Sequence, residues 1–488
     1  MGRKKSKFYI TVPQGVLKHL DVTADGNAVQ YKQAHLLSFL THHIQSSYPS
    51  ASAFYFKDIS SKYLKHHYTT DYRDSVITPL LDCELIEADD SYSTELHFPK
   101  SYRLNNALIK DVIDGNTTII YITSKPLIGK IEKWRRTTLS LQVKKYSFIE
   151  SEADMLLHLN IDTSSLEQLY EQRVADINTS DKPNKKLAII NATRHKEEIL
   201  QLTEAKDLLD ARVRYIKGRV YHPFVNCPRE YRKAVVDDEG QPFFEVDLRS
   251  SQAVFLCKVI AVALKHRLIT FEFGKQATAT NNLIEQIIPL LNEPINVLEE
   301  GVYPPDFRAF VSAVFFDDIY EDANPENIAQ NAFMAVGDEV YLVHSSARLS
   351  GSKTLVGEAR DQAKRQFFKD IFFNYYNKEN YGVKGQLSIS SEYLENFAKT
   401  YYTVYEFCRI CASQSKEKKK SRDLALLLQQ TESKFFHELL PAVLKELEPF
   451  NYFVVHDAIY VPQKHQEAVI NACNKLSTEF FGVTPKFR

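Results

Sequence analysis

Along the first hundred residues the apolar positions fall in two registers. From Tyr31 to Tyr48 they recur at Ala34, Leu36, Leu37, Leu40 and Ile44, the spacing of one buried helix face, and Ile59 to His66 repeats the pattern over a shorter helix. Asp71 to Leu85 predicts a third helix, with Tyr72, Val76, Leu80 and Leu81 at helical spacing. Ile86 to Leu104 then alternates around Asp89-Asp90-Ser91, as a β-ribbon does. Residues 106–205 read as mainly helical, with a polar, proline-containing loop or hinge from Asn178 to Lys186.

Farther on, two short apolar runs stop at an aspartate. Phe243 to Val246 predicts a strand ending at Asp247, after which Leu248 to Leu256 turns into an apolar helix. Phe453-Val454-Val455 and Ala458-Ile459-Tyr460-Val461 predict two strands joined by a tight turn at His456-Asp457, so one carboxylate sits at the tip of a hairpin.

With 44% hydrophobic and 12% aromatic residues and only 15 glycines among 488, the chain is an ordered globular one, long enough for two to four domains. Its net charge of -1 gives no argument for nucleic-acid binding, which must come from local patches. One such patch runs from Lys125 to Lys145, where Lys125, Lys130, Lys133, Arg135, Arg136, Lys144 and Lys145 face one acid, Glu132, with Trp134 among them. Cations interleaved with an aromatic can track a phosphate backbone, and they can equally form a solvated helix face. Ser415 to Arg422, rich in lysine, reads as a nucleic-acid-facing or a solvated loop.

The six cysteines lack disulfide-framework spacing, which suits a reducing cytoplasm. Cys408 and Cys411 form a lone pair inside an apolar helical stretch, favouring a core role over zinc. The N-terminus has Arg3, Lys4, Lys5 and Lys7 but no apolar signal region, and no stretch is long enough to span a membrane, so a cytoplasmic protein without a membrane partner is expected.

Two strand-end aspartates far apart in sequence can meet in one sheet and hold two divalent cations about 3.5–4 Å apart, as phosphoryl transfer requires. Arg360, Lys364, Phe368 and Phe372 are each four residues apart and drift only about 40° per step, so they share one helix face. Two cations there can take a triphosphate and two rings can cover a base and a sugar. Taken alone, the same spacing also describes buried phenylalanines beside solvated cations.

Three motifs in order make residues 206–488 resemble the palm and fingers of the family A DNA polymerases. Asp247-Leu-Arg-Ser-Ser-Gln252 is similar to that family's first motif, Asp-Tyr-Ser-Gln-Ile-Glu. Arg360-Asp-Gln-Ala-Lys364-Arg-Gln-Phe-Phe368-Lys-Asp-Ile-Phe372 fits its fingers helix, and Val455-His456-Asp457-Ala458 its third motif, Val-His-Asp-Glu. Gly218-Arg219-Val220-Tyr221, with Asn226 and Pro228, resembles its segment contacting primer-template, and Arg422 with Gln429-Gln430 resembles its template-contacting Arg and Gln.

The resemblance implies an α+β, right-hand polymerase with an antiparallel palm sheet and helical fingers and thumb. Asp247 and Asp457 would hold two Mg2+, with Mn2+ as the alternative ion. One ion would lower the pKa of the primer 3′-hydroxyl and the other neutralise the leaving pyrophosphate. Arg360 and Lys364 would stabilise the triphosphate, Gln252, Phe368 and Phe372 would line the nucleotide, and His456 would orient the primer terminus. Residues 1–105 resemble a winged helix, with Asp71 to Leu85 as recognition helix and Ser91 to Arg103 as wing, contacting DNA or a replication or defence-system partner protein. Residues 106–205 would then be a basic thumb or linker.

Five departures from the family matter. Ala458 replaces an acid, Gln252 replaces the glutamate that closes against the ribose 2′-position, and Phe372 replaces the tyrosine whose hydroxyl bonds that glutamate. The interval between Asp247 and Arg360 is long enough for an insertion around residues 270–350, and no candidate carboxylates for a proofreading exonuclease are present. Weaker selection of dNTPs over NTPs is therefore expected. The expected activity is template-directed nucleotidyl transfer, with DNA primer-template and nucleoside triphosphates as partners, in a phage, plasmid or mobile element. The alternatives are a single-subunit RNA polymerase or primase-like enzyme, and a non-catalytic winged-helix replication initiator.

Overall fold

The computed structural model describes residues 9–20, 28–47, 56–89, 100–180, 184–205, 207–208, 210–271, 277–316, 333–336, 339–342, 397–417 and 423–487. These are helices with small antiparallel sheets, an α+β architecture, in two compact units. Unit one comprises Met1–Ala153, Asn160–Arg212 and His222–Val235; unit two comprises Asp154–Leu159, Val213–Tyr221 and Val236–Arg488.

Unit one has its own core, from Ile10 to Ile131, built around the helix Ala28–Ser47. Tyr31, Ala34, Leu37, Leu40 and Ile44 are buried along one stripe of that helix, so the periodicity reports a real face. The helix Ser61–Tyr68 starts at Ser60, whose side chain accepts a hydrogen bond from the Tyr63 amide. A three-stranded sheet sets Ser101–Leu104 between Lys57–Asp58 and Ile86–Asp89. Tyr9–Pro13 pairs antiparallel with Thr117–Tyr121.

The third helix departs from the simple expectation. It is split into a wide turn, Arg73–Ile77, in which Thr78 N–H reaches back to the Arg73 carbonyl, and a short helix, Thr78–Asp82. Pro79 explains the break, because it brings no N–H for the Ser75 carbonyl four residues earlier. That carbonyl is taken instead by Gln33, whose buried Nε2 donates to it at 3.0 Å. Gln33→Leu is therefore expected to cost about 1–3 kcal/mol, read as a lower urea midpoint, since it removes this donor from a half-buried carbonyl. An unchanged midpoint would mean that water replaces the amide. The wide turn Phe435–Leu439 stands in the same relation to Pro441.

The helix Lys125–Lys145 buries only Leu127 and Ile131, leaving Lys125, Lys133, Arg135, Arg136, Lys144 and Lys145 exposed. Trp134 is not a solvent-facing platform for bases. It packs on Tyr63, His66 and His67, with ring centroids 5.0–5.5 Å away. The helices Thr163–Thr179 and Lys185–Thr203 pack together, Lys196 bonding Glu167 at 3.0 Å. Both extend into the segment expected to be a loop, so Asn178 and Thr179 end one helix while Lys185 and Lys186 begin the next.

Unit two is organised on a three-stranded sheet in the order Phe244–Asp247, Ala458–Val461, Phe453–Val455. Phe453 and Tyr460 face each other across the hairpin with rings stacked at 4.6 Å, a cross-strand pair that holds the register. The helix Ser251–Lys265 is buried from Ala253 to Ala263. Even Lys258 is enclosed, its Nζ donating to the carbonyls of Phe480 and Glu293, and burial pushes its pKa down to about 7. Cys408 and Cys411 are buried on the helix Tyr402–Glu417.

Arg360, Lys364, Phe368, Phe372 and Arg422 lie outside the described residues, as do the expected wing from Ser91 to Pro99, Lys418 to Lys420, and much of the 270–350 interval.

Candidate active site

The sheet of unit two brings the two aspartates together. Asp247, last residue of its strand, is in register with Ala458, and the Leu248 amide donates to the Asp457 carbonyl at 3.0 Å. Both carboxylates therefore sit at one end of two neighbouring antiparallel strands, and both are half-buried. The turn itself is tight: His456 has φ 57°, a left-handed conformation, and its ring meets that of Tyr221 edge-on at 6.2 Å. Ser250, just beyond Asp247, is also left-handed at φ 56° and starts the buried helix.

The first turn of that helix points two polar side chains at the site. Ser251 Oγ donates to Asp457 Oδ2 at 2.7 Å and lies 3.3 Å from Glu432 Oε2. A hydroxyl has one proton, so the shorter contact defines its donor bond. Gln252 Nε2 donates to the same Glu432 oxygen at 2.7 Å.

Glu432 is the residue that sequence reasoning missed. It lies on the helix Asp423–Lys434, is 2% exposed at its side chain, and has Arg219 Nη2 3.6 Å from its Oε1. Burial and the nearby Asp457 charge push its carboxyl up to about 7, while Arg219, the bond from Gln252 and the neighbouring Ser251 hydroxyl pull the other way. The available signal was position: Glu432 follows Gln429-Gln430 by two residues, on the helix that opens with the apolar run Leu424 to Leu428.

Arg219 is delivered by a hairpin, Arg214–Ile216 with Arg219–Tyr221, whose two turn residues, Lys217 and Gly218, both have positive φ. A side chain at Gly218 would begin 3.1 Å from Gln429 Cβ and from the Gln430 amide nitrogen, so glycine lets the hairpin lie against that helix. Gln429 and Gln430 are half-buried beneath it. Thus Asp247, Gln252, His456, Asp457, Arg219, Gln429 and Gln430 all belong to this one neighbourhood of unit two.

Among the described residues no group of three or more His, Cys, Asp and Glu side chains forms a metal-binding cluster. A Mg2+ ion shared with a substrate takes one or two carboxylates and completes its shell with phosphate oxygens and water. Two half-buried carboxylates at adjoining strand ends are such a donor set.

Among the described residues no helix is long and apolar enough to cross a membrane. No family model matches the chain, and no curated protein does. Among solved structures, the POL domain of Pol1 from M. smegmatis, in complex with DNA primer-template and dNTP, is similar at 12% identity with a TM-score of 0.40, over 78% of this chain and 74% of that chain.

Proposed function

We propose that the chain is a template-directed nucleotidyltransferase that extends a DNA primer. The observation that carries this reading is the pairing of Asp247 with the hairpin turn at Asp457, two distant carboxylates delivered to one strand-end site. Asp247 and Asp457 would hold two Mg2+, which supply charge neutralisation for the attacking hydroxyl and the departing pyrophosphate. His456 beside the pair orients the primer end, and Arg219 with Gln429 and Gln430 meets the primer-template. Arg360 and Lys364 take the triphosphate, with Phe368 and Phe372 against the base and sugar. Primer extension with Mg2+, on DNA and RNA templates and with dNTPs and NTPs, tests the assignment. Extension of a DNA primer by dNTPs is expected, and no extension on either template removes the reading.

The exposed cations of Lys125–Lys145 are the duplex-binding surface in this proposal. Lys133→Ala with Lys144→Ala should weaken primer-template binding and lower the salt slope of log K by about 1.8, roughly 0.9 per lost phosphate contact. Fluorescence anisotropy across a salt series reads this directly, and an unchanged slope assigns those lysines to a solvated face.

The order of elements from Ala28 to Leu104, three helical segments and a three-stranded sheet, supports a winged-helix module. Its third helical segment exposes Arg73 against Asp74 and Asp82, a balance that suits a protein partner better than phosphate. Point variants are the way to test it, because truncation after residue 105 would part Tyr9–Pro13 from its partner strand Thr117–Tyr121.

A further inference from the structure

Glu432 is a buried acid with three polar neighbours, two from the first turn of the helix Ser251–Lys265 and one from the strand Arg219–Tyr221. Gln252 Nε2 and Ser251 Oγ meet its Oε2, at 2.7 and 3.3 Å, and Arg219 Nη2 stands 3.6 Å from its Oε1. Through Ser251 the cluster reaches Asp457 Oδ2 at 2.7 Å, so Gln252 is one residue removed from a side chain bonded to the proposed metal-binding carboxylate. A glutamine has three rotatable side-chain bonds and would sample many positions at a half-open site. A charge-assisted bond to a buried carboxylate removes most of that freedom.

We propose that Glu432 is a positioning residue that holds the Gln252 amide beside the sugar of the incoming nucleotide, and that sugar selection depends on this bond. The inference rests on the nucleotidyl-transfer reading. Held in place, the amide occupies space that a ribose 2′-hydroxyl would need; released, it swings aside and admits NTPs. The geometry also explains why position 252 carries an amide. A carboxylate there would stand 2.7 Å from the buried Glu432, and two like charges at that range cannot both remain ionised.

The test compares single-turnover incorporation of dATP and ATP by the full-length chain opposite template dT. Glu432→Ala should raise ATP use relative to dATP about three- to tenfold, the worth of one hydrogen bond, and Gln252→Ala should do the same. Combining them should add nothing further, because both remove one bond. Glu432→Gln keeps an acceptor of the same shape and should fall between wild type and Glu432→Ala. Gln252→Glu alone should be the least active variant, and pairing it with Glu432→Gln, which restores an amide–carboxylate contact, should recover wild-type selectivity.

Equal slowing of dATP and ATP by Glu432→Ala, or effects that multiply in the double variant, would overturn the proposal. The swap keeps it testable if Glu432→Ala does not fold. Absence of all nucleotide addition by the wild-type chain would instead sink the function on which the proposal rests. The same cycle read by thermal unfolding would then still report whether Glu432 and Gln252 are coupled.

Discussion

Asp247→Asn and Asp457→Asn are each expected to abolish nucleotide addition while leaving the chain folded and able to bind duplex. Both side chains are half-buried at the end of the sheet, and the substitution keeps their shape while removing the charge that two divalent ions require. The loss should be several kcal/mol of barrier stabilisation, at least about a thousandfold in rate. The amide oxygen at position 457 can still accept the Ser251 hydroxyl, so the start of the buried helix stays anchored. Asp457→Asn has a second consequence. Because the Asp457 charge helps hold the Glu432 carboxyl up, removing it should lower the Glu432 pKa. Single-turnover extension with melting curves on the same samples separates chemistry from folding. Near-normal extension by either variant would remove these aspartates from the metal site.

The second large effect is acid unfolding of unit one. His35, on the Ala28–Ser47 helix, bonds the Tyr68 hydroxyl through Nδ1 at 2.8 Å, and its ring stacks on His67 at 5.6 Å. Burial, then the neighbouring His67 and Arg135, lowers the His35 pKa to about 3. Burial lowers that of His67 to about 4, helped by His66, Lys130 and Arg135 and opposed by its bond to the Tyr63 carbonyl. Among the described residues no acid acts on either ring, so no carboxylate offsets a proton placed there. Both folded values lie below the unfolded 6.5, so between them the unfolded chain binds more protons. Stability is therefore complete above pH 6.5 and falls as pH drops toward the folded values. For His35 the slope approaches about 1.4 kcal/mol per pH unit, or roughly 2–3 kcal/mol by pH 4.5. Trp134, the only tryptophan, packs 5.5 Å from His67 and so reports this region by fluorescence. His67→Phe, which keeps a ring in the stack and leaves His35 to titrate, should roughly halve the fall of the urea midpoint between pH 6.5 and 4.5. An equally steep curve in that variant would assign the acid sensitivity to other groups.

Local pattern determined much of this protein. The helix around Leu36 and Leu40, the strands ending at Asp247 and Val455, the turn at His456-Asp457 and the apolar helix beyond Ser250 follow from periodicity and from polar residues interrupting it. These are short-range effects, set by side chains a few residues apart, and a sequence displays them directly. The pairing of Asp247 with the hairpin was inferred from two strand ends, but only the sheet order and register decided it.

Three further features required the tertiary structure. Pro79 marks a break in its helix, yet Gln33, distant in sequence, determines how the freed Ser75 carbonyl is satisfied. Trp134 sits among cations along the chain but among histidine and tyrosine rings in space, because Tyr63, His66 and His67 lie on another helix. Glu432 looks like one charge in a helical stretch, and its chemistry comes from Ser251, Gln252 and Arg219, more than 175 positions away in sequence. Burial and the convergence of charges depend on which distant segments pack together, and these turn an ordinary glutamate into a carboxyl with a pKa of about 7.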